Sequence, residues 1–332
     1  MSDSVSTTQG EVSRQTVRAA SSIVGFLGVT LATTLFSQQP VHAAGSVAAW
    51  GDNSRLQTAV PPNLTNIVAV AGGSFHSLAL DHSGNVRGWG ENTFGKATPP
   101  AGLSNVVALA AGGDFSLALQ RDGTVVAWGN QSAIPAGLTN VAAISAALGN
   151  GLALTRNGDV ISWGSAAPSP ADATNVLAIA AGSTHSLALK GDGSVIAWGN
   201  PDLGKTTVPP GLTNVIALAA DQFQSFAFRG DGKGVAWGDN TFGQGAIPAG
   251  LSNVVAIAAG AFHSLALRSD GRLFAWGDPT YNQHIVPGGI SNVFNFAGGR
   301  YHSLAVLGDG APVIPVQPVR PYNDETPNAP TQ

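Results

Sequence analysis

The sequence predicts an all-β fold, a closed seven-bladed β-propeller with four antiparallel strands per blade, and three observations predict it. All seven tryptophans are followed by glycine, at Trp50, Trp89, Trp128, Trp163, Trp198, Trp237 and Trp276, with spacings of 39, 39, 35, 35, 39 and 39 residues. A second series, Asn66, Asn105, Asn140, Asn175, Asn214, Asn253 and Asn292, opens apolar segments such as NVVALAAG, so one unit is used seven times. With 43 glycines, 20 prolines and 10% charged residues, the composition suits many short strands joined by tight turns and gives little support for long amphipathic helices.

Within a unit the strands follow from period and punctuation. Asn253 to Ala259 is rich in small residues, as an innermost strand crowding an axis requires, and His263 to Leu267 is the second strand. Asp270-Gly271 is expected as a two-residue turn, leading into a third strand from Leu273 to Trp276. Its counterparts are Ser83-Gly84, Asp122-Gly123, Asn157-Gly158, Asp192-Gly193, Asp231-Gly232 and Asp309-Gly310. A short fourth strand ending near proline, as at Gly245 to Pro248, suits an outer edge, because proline cannot donate to a ladder.

The phase of the repeat predicts how the ring closes. The first unit begins at a third strand, Val47 to Trp50, and the last supplies only first and second strands, Asn292 to Leu307. One blade is therefore stitched from both ends, which removes the last open sheet edge, whereas a solenoid needs atypical capping units. The propeller domain is expected over residues 45–310.

The flanks read differently. Arg14 and Arg18 precede an apolar stretch from Ala19 to Phe36, and Val41-His42-Ala43 has the small residues of a signal-peptidase site. A signal peptide over residues 1–43 and an extracytoplasmic location are expected; a retained membrane anchor is the alternative, because the stretch is long enough to span a bilayer. The proline-rich tail, residues 311–332, reads as an extended, solvated end. A formal net charge of −4, with 15 Lys and Arg scattered along the chain, excludes an electrostatic footprint for nucleic acid or an anionic membrane. With no cysteine, neither disulfides nor thiolate metal sites are available.

The segments VIAWGN (195–200), GKTTVP (204–209) and GAFHSLALRSDG (260–271) resemble the regulator of chromosome condensation repeat, from Gly45 to about Gly310. The resemblance implies a seven-bladed propeller with one stitched blade. Within that superfamily the phrasing AWGDN…G-Q-x-x-x-P, at Ala236 to Pro248, is similar to the short-bladed exported bacterial branch that includes β-lactamase inhibitory protein II. That likeness implies a protein partner bound through loop aromatics on one face, and it makes inhibition of a β-lactamase or cell-wall transpeptidase one alternative.

Topology locates the candidate site. The loops joining strands one to two and three to four leave the same face, while the Asp-Gly turns leave the other. Aligned copies put Phe75, Asp114, Gly149, Thr184, Phe223, Phe262 and Tyr301 at one position of the first loop, so four consecutive blades carry aromatics. The three-to-four loops of those blades carry Phe94, Phe242, Tyr281 and, in the fourth, Arg55. The two 35-residue units are trimmed in this loop, at Asn130 to Ser132 and Ser165 to Ala167. An aromatic arc on one side of the ring is a candidate protein interface, its alternative being packing between blades. Asp52, Glu91, Asp239 and Asp278 follow the Trp-Gly pairs of the arc blades and are expected as an acidic rim favouring a basic partner. The chain is expected to act as a monomer without a cofactor.

Catalysis finds little support. His76, His185, His263 and His302 share one position, but equivalent positions around an axis do not converge on one ion, so a structural hydrogen bond to a neighbouring loop is expected rather than a metal ring. Ser77, Ser186, Ser264 and Ser303 follow these histidines, and adjacent strand residues point to opposite faces, so no local nucleophile–base pair forms. Asp221 and Asp239 are the pair a glycosidase or lyase would need, and a carbohydrate-binding or carbohydrate-cleaving propeller is a further alternative.

Overall fold

The computed structural model describes residues 45–308 apart from 131–133, 136–137 and 166–167. The expected leader over 1–43, the tail over 311–332 and the Asp309-Gly310 turn lie outside the described residues. The described residues form seven three-stranded antiparallel sheets. Blade 1 holds β2 (Ile67–Gly72), β3 (His76–Asp81) and β4 (Val86–Gly90), and blade 2 holds β5 (Val106–Ala111), β6 (Phe115–Gln120) and β7 (Val125–Gly129). Blade 3 holds β8 (Val141–Ala147), β9 (Asn150–Thr155) and β10 (Val160–Gly164), and blade 4 holds β11 (Val176–Ala181), β12 (His185–Lys190) and β13 (Val195–Gly199). Blade 5 holds β14 (Val215–Ala220), β15 (Gln224–Arg229) and β16 (Gly234–Gly238), and blade 6 holds β17 (Val254–Ala259), β18 (His263–Arg268) and β19 (Leu273–Gly277).

Blade 7 is the stitched one. Its inner strands β20 (Val293–Gly298) and β21 (His302–Leu307) are completed by β1 (Ser46–Gly51), in a register that sets Ser46 opposite Leu307 and Trp50 opposite Ser303. Each first strand packs against the first strands of both neighbouring blades, and β20 returns to β2, so the ring is closed. The second strands are covered on both faces by adjacent blades; Leu78, Ala79, Leu187, Ala188, Leu265 and Ala266 are fully buried. That two-sided burial explains why HSLAL reads as a continuous run instead of an apolar–polar alternation.

The asparagine series has a conformational cause. All seven residues lie at φ between 53° and 59°, immediately before a first strand that then carries a bulge, as between Val254 and Ala256. Asparagine tolerates this left-handed region better than any other residue except glycine.

Two expectations are corrected. The Asp-Gly pairs are not two-residue loops: Gly271 N–H donates to Arg268 O at 3.0 Å, Arg268 N–H to Arg272 O at 2.9 Å, and of Asp270 and Gly271 only the glycine has positive φ. This is a type I turn closed by a left-handed glycine bulge. The fourth strand is also absent among the described residues. From Gly243 to Leu251 the backbone bonds locally, Ala246 N–H to Gly243 O and Leu251 N–H to Pro248 O, so the segment is a chain of turns beside the blade. Proline lacks the donor a ladder needs, and these turns satisfy the remaining groups.

Candidate functional site

Beside the arc runs a latch that joins four of the blades to the next. His76 Nε2 lies 2.8 Å from Ser116 Oγ of blade 2, and the same pairing joins His185 to Ser225, His263 to Ser303 and His302 to Ser77. Each of these serines donates its only proton to a loop carbonyl: Lys96 O, Lys205 O, Gln283 O and Gln57 O. The histidine must therefore donate from Nε2, leaving Nδ1 bare, and all four Nδ1 atoms are buried without a partner. The same carbonyls accept Nε1–H of Trp128, Trp237, Trp50 and Trp89. The bond runs to the serine of the next blade, where the sequence reading expected a neighbouring loop.

These pairs join residues of different blades, and the adjacent histidine and serine of one strand do not pair with each other. The pairs between blades have the spacing of a nucleophile and its base, but both partners are fully buried and the proton runs from histidine to serine to carbonyl, opposite to base catalysis. Among the described residues no group of three or more His, Asp or Glu is placed to hold a metal ion.

The rings require glycine three residues earlier. A Cβ at Gly73, Gly182, Gly260 or Gly299 would collide with the imidazole Cε1, and one at Gly112 with the Phe115 ring. Blades 3 and 5 replace the ring with Asn150 and Gln224, and there the earlier position carries Ala147 and Asp221. Asp221 is buried; its Oδ1 accepts the backbone N–H of Phe223 and Gln224, while Oδ2 has no partner. Burial pushes its carboxyl well above the usual carboxylate range, outweighing those two hydrogen bonds.

The loops before the second and after the third strands do share a face. Asp52 N–H donates to Tyr301 O, Glu91 to Phe75 O, Asp239 to Phe223 O and Asp278 to Phe262 O. On this face the first strands end around an axial depression of about 80 Å³. Beside it Phe223, Phe262, Tyr301 and Phe75 follow the ring of blades as half-buried residues, with centroids 5.9, 5.3 and 6.1 Å apart. Phe242 stands edge-on to Phe262 at 5.2 Å and Tyr281 edge-on to Tyr301 at 5.2 Å. Six of the seven predicted aromatics thus form one continuous ribbon that packs within itself and still leaves Phe242 and Tyr281 exposed. Phe94 is exposed but makes no ring contact with the ribbon.

A buried loop residue decides this difference. Gln57, Gln244 and Gln283 each accept, at Oε1, the backbone N–H of the displayed residue two positions earlier: Arg55, Phe242 and Tyr281. Lys96 and Lys205 occupy the same position and have no acceptor, and Phe94 and Leu203 before them adopt φ of 64° and 62°. Lys96 instead turns its Nζ to Glu91 at 2.9 Å and Asp114 at 2.6 Å.

The acidic rim is the part of the prediction most altered. Asp52 and Asp278 are buried and hold their own loops, Asp52 through Ser54 and Gln57, Asp278 through Thr280 and Gln283. Asp239 binds Thr241 in the same way, and Glu91 is paired with Lys96. Sequence reasoning missed Arg300, whose guanidinium lies 5.2 Å from the Tyr301 centroid and 6.0 Å from that of Phe75. Its signal was available: the position before each aromatic holds Ser74, Gly113, Leu148, Ser183, Gln222 and Ala261 in the other blades, so a cation breaks the series. Exposed Leu56 and Leu203 were missed as well.

The family model described as "Regulator of chromosome condensation (RCC1) repeat" matches residues 67–96, 106–133, 176–205 and 254–283, which are blades 1, 2, 4 and 6 with their following loops. The chain carries regulator of chromosome condensation repeats. Solved structures superpose on this fold. Prp20p of Saccharomyces cerevisiae, crystallised in a study of its binding to Gsp1p and histones, is 20% identical with a TM-score of 0.67, covering 81% of this chain and 92% of that one. Human WBSCR16 is 17% identical with a TM-score of 0.66, covering 81% and 100%. The ectodomain of the Physcomitrella patens receptor kinase CR4 is 23% identical with a TM-score of 0.60, covering 75% and 72%. Among curated proteins none matches the sequence significantly. At these identities the structures establish the propeller, and the repeat establishes how it is built, but neither carries a function across.

Proposed function

We propose that this chain is an exported, non-catalytic binding scaffold that engages a protein partner through the aromatic ribbon of blades 5, 6, 7 and 1. The observation that carries the reading is the unbroken packing of Phe223, Phe242, Phe262, Tyr281, Tyr301 and Phe75 on the loop face, with two rings exposed at 43–44%. Rigid aromatics bury large areas at low entropic cost, and they dominate protein interfaces for that reason. Prp20p, of the same fold, binds proteins, which supports a propeller face as a protein-docking surface.

The test is capture from culture medium with the purified chain, compared with a Phe242→Ala, Phe262→Ala, Tyr281→Ala variant and read by mass spectrometry. A protein retained by the wild type and lost by the variant supports the ribbon; equal retention by both overturns it. The same preparation, run on a glycan array and titrated against a class A β-lactamase, decides whether the occupant is a carbohydrate or that enzyme. Replacing buried hot-spot aromatics costs about 2 kcal/mol or more in binding, roughly thirtyfold in affinity.

A further inference from the structure

The carboxylates of the loop face and its arginines are in opposite situations. Asp52, Glu91, Asp239 and Asp278 accept hydrogen bonds or ion pairs inside their own loops. Arg300 and Arg55 make no ion pair with any described residue. Both belong to blade 7, the middle of the ribbon: Arg300 immediately precedes Tyr301, and Arg55 is the residue displayed by the loop after β1. The Arg300 backbone is anchored by its N–H to Gly73 O of blade 1, and its guanidinium lies over the Tyr301 and Phe75 rings with Nε buried and unpartnered.

A guanidinium stacked on aromatic faces is held flat, loses little freedom on binding, and has a donor fork that matches a carboxylate through two parallel hydrogen bonds. The surrounding rings lower the local dielectric and strengthen that pair. At contact range the ribbon therefore offers unpaired arginine cations, while the four carboxylates after the Trp-Gly pairs are already bonded within their loops. We infer that Arg300, framed by Phe75 and Tyr301, receives an aspartate or glutamate side chain of the protein partner, with Arg55 as a second, outer cation. This rests on the ribbon being the docking face, and it reverses the basic partner expected from an acidic rim.

The test is selection of a random twelve-residue peptide library, amidated at the C-terminus so that no terminal carboxylate competes, on the purified full chain. Peptides enriched on the wild type carry an acidic residue at one position; its change to the amide weakens binding about tenfold, and so do Arg300→Gln and Arg300→Lys. Both variants stay folded, with melting temperatures within a few degrees of the wild type, because the side chain bears no ion pair within the fold and Arg300→Gln loses only a weak cation–π contact. Peptides that need the ribbon aromatics but show no acidic preference, or bind Arg300→Gln as tightly, overturn this inference and leave the ribbon standing. Peptides indifferent to Phe262→Ala and Tyr281→Ala overturn both.

Discussion

At the scale of the residue, the repeat is governed by what a buried imidazole tolerates. Burial holds His76 and His263 down to about 3 and His185 and His302 to about 4, against an ordinary value of 6.5. Between those limits the unfolded chain takes up protons that the native rings refuse, so stability falls as pH drops from 6.5 towards 4 and is flat in this respect above 7. Each histidine contributes at most about 1.4 kcal/mol per pH unit. Asp221 acts in the opposite sense, because burial raises its carboxyl and so favours the native state on the acid side. Thermal melts from pH 4.5 to 8 are expected to fall on the acid side, with a shallower slope in His185→Asn, which copies the neutral amide of blade 3. An unchanged slope would show that the rings are not the titrating groups.

At the scale of the element, the loops after the third strands show how one side chain sets what a loop presents. Glutamine has both an acceptor and a donor: Gln283 takes the Tyr281 N–H at 2.9 Å and reaches Asp278 at 3.4 Å. Lysine can only donate, so Phe94 is displayed from a left-handed backbone. Gln283→Ala is expected to cost about 1–2 kcal/mol in stability and to weaken partner binding through Tyr281, which no longer has its backbone fixed. Denaturant unfolding and a binding titration check the two effects separately. The alternation of Gln and Lys was legible in the sequence, but its meaning was not, because it depends on a bond formed only once the loop has folded back on itself.

At the scale of the whole molecule, closure rests on β1 and β21. Their register brings the two ends of the chain together, and Trp50 Nε1 reaches Gln283 O across 233 positions. A chain beginning after Gly51 exposes the edge of β21 and leaves the Gln283 carbonyl without its tryptophan. Its melting temperature is expected to drop by roughly 10 °C or more, with higher-order species on gel filtration. A monomer of unchanged stability would mean that blade 7 does not need its third strand. The ring is also sided: blades 5, 6, 7 and 1 display the ribbon, whereas the loop after blade 3 is trimmed and Trp198 Nε1 of blade 4 is buried without an acceptor among the described residues.

The sequence by itself determined the number of blades, the first three strands of each, the stitched closure and six of the seven rings now packed or displayed together. These follow from local rules repeated seven times: the small first strand, the buried second strand, the left-handed asparagine and the glycine turn. Only the tertiary structure decided that the blade has three strands, that histidine donates to the next blade's serine, that Asp52 and Asp278 are loop fasteners, and that Arg300 lies unpaired among aromatics. The latch contacts join residues 20, 32, 40 and 225 positions apart, so their partners meet only once neighbouring blades have packed, whereas the aspartate fasteners are local bonds whose burial the sequence does not show.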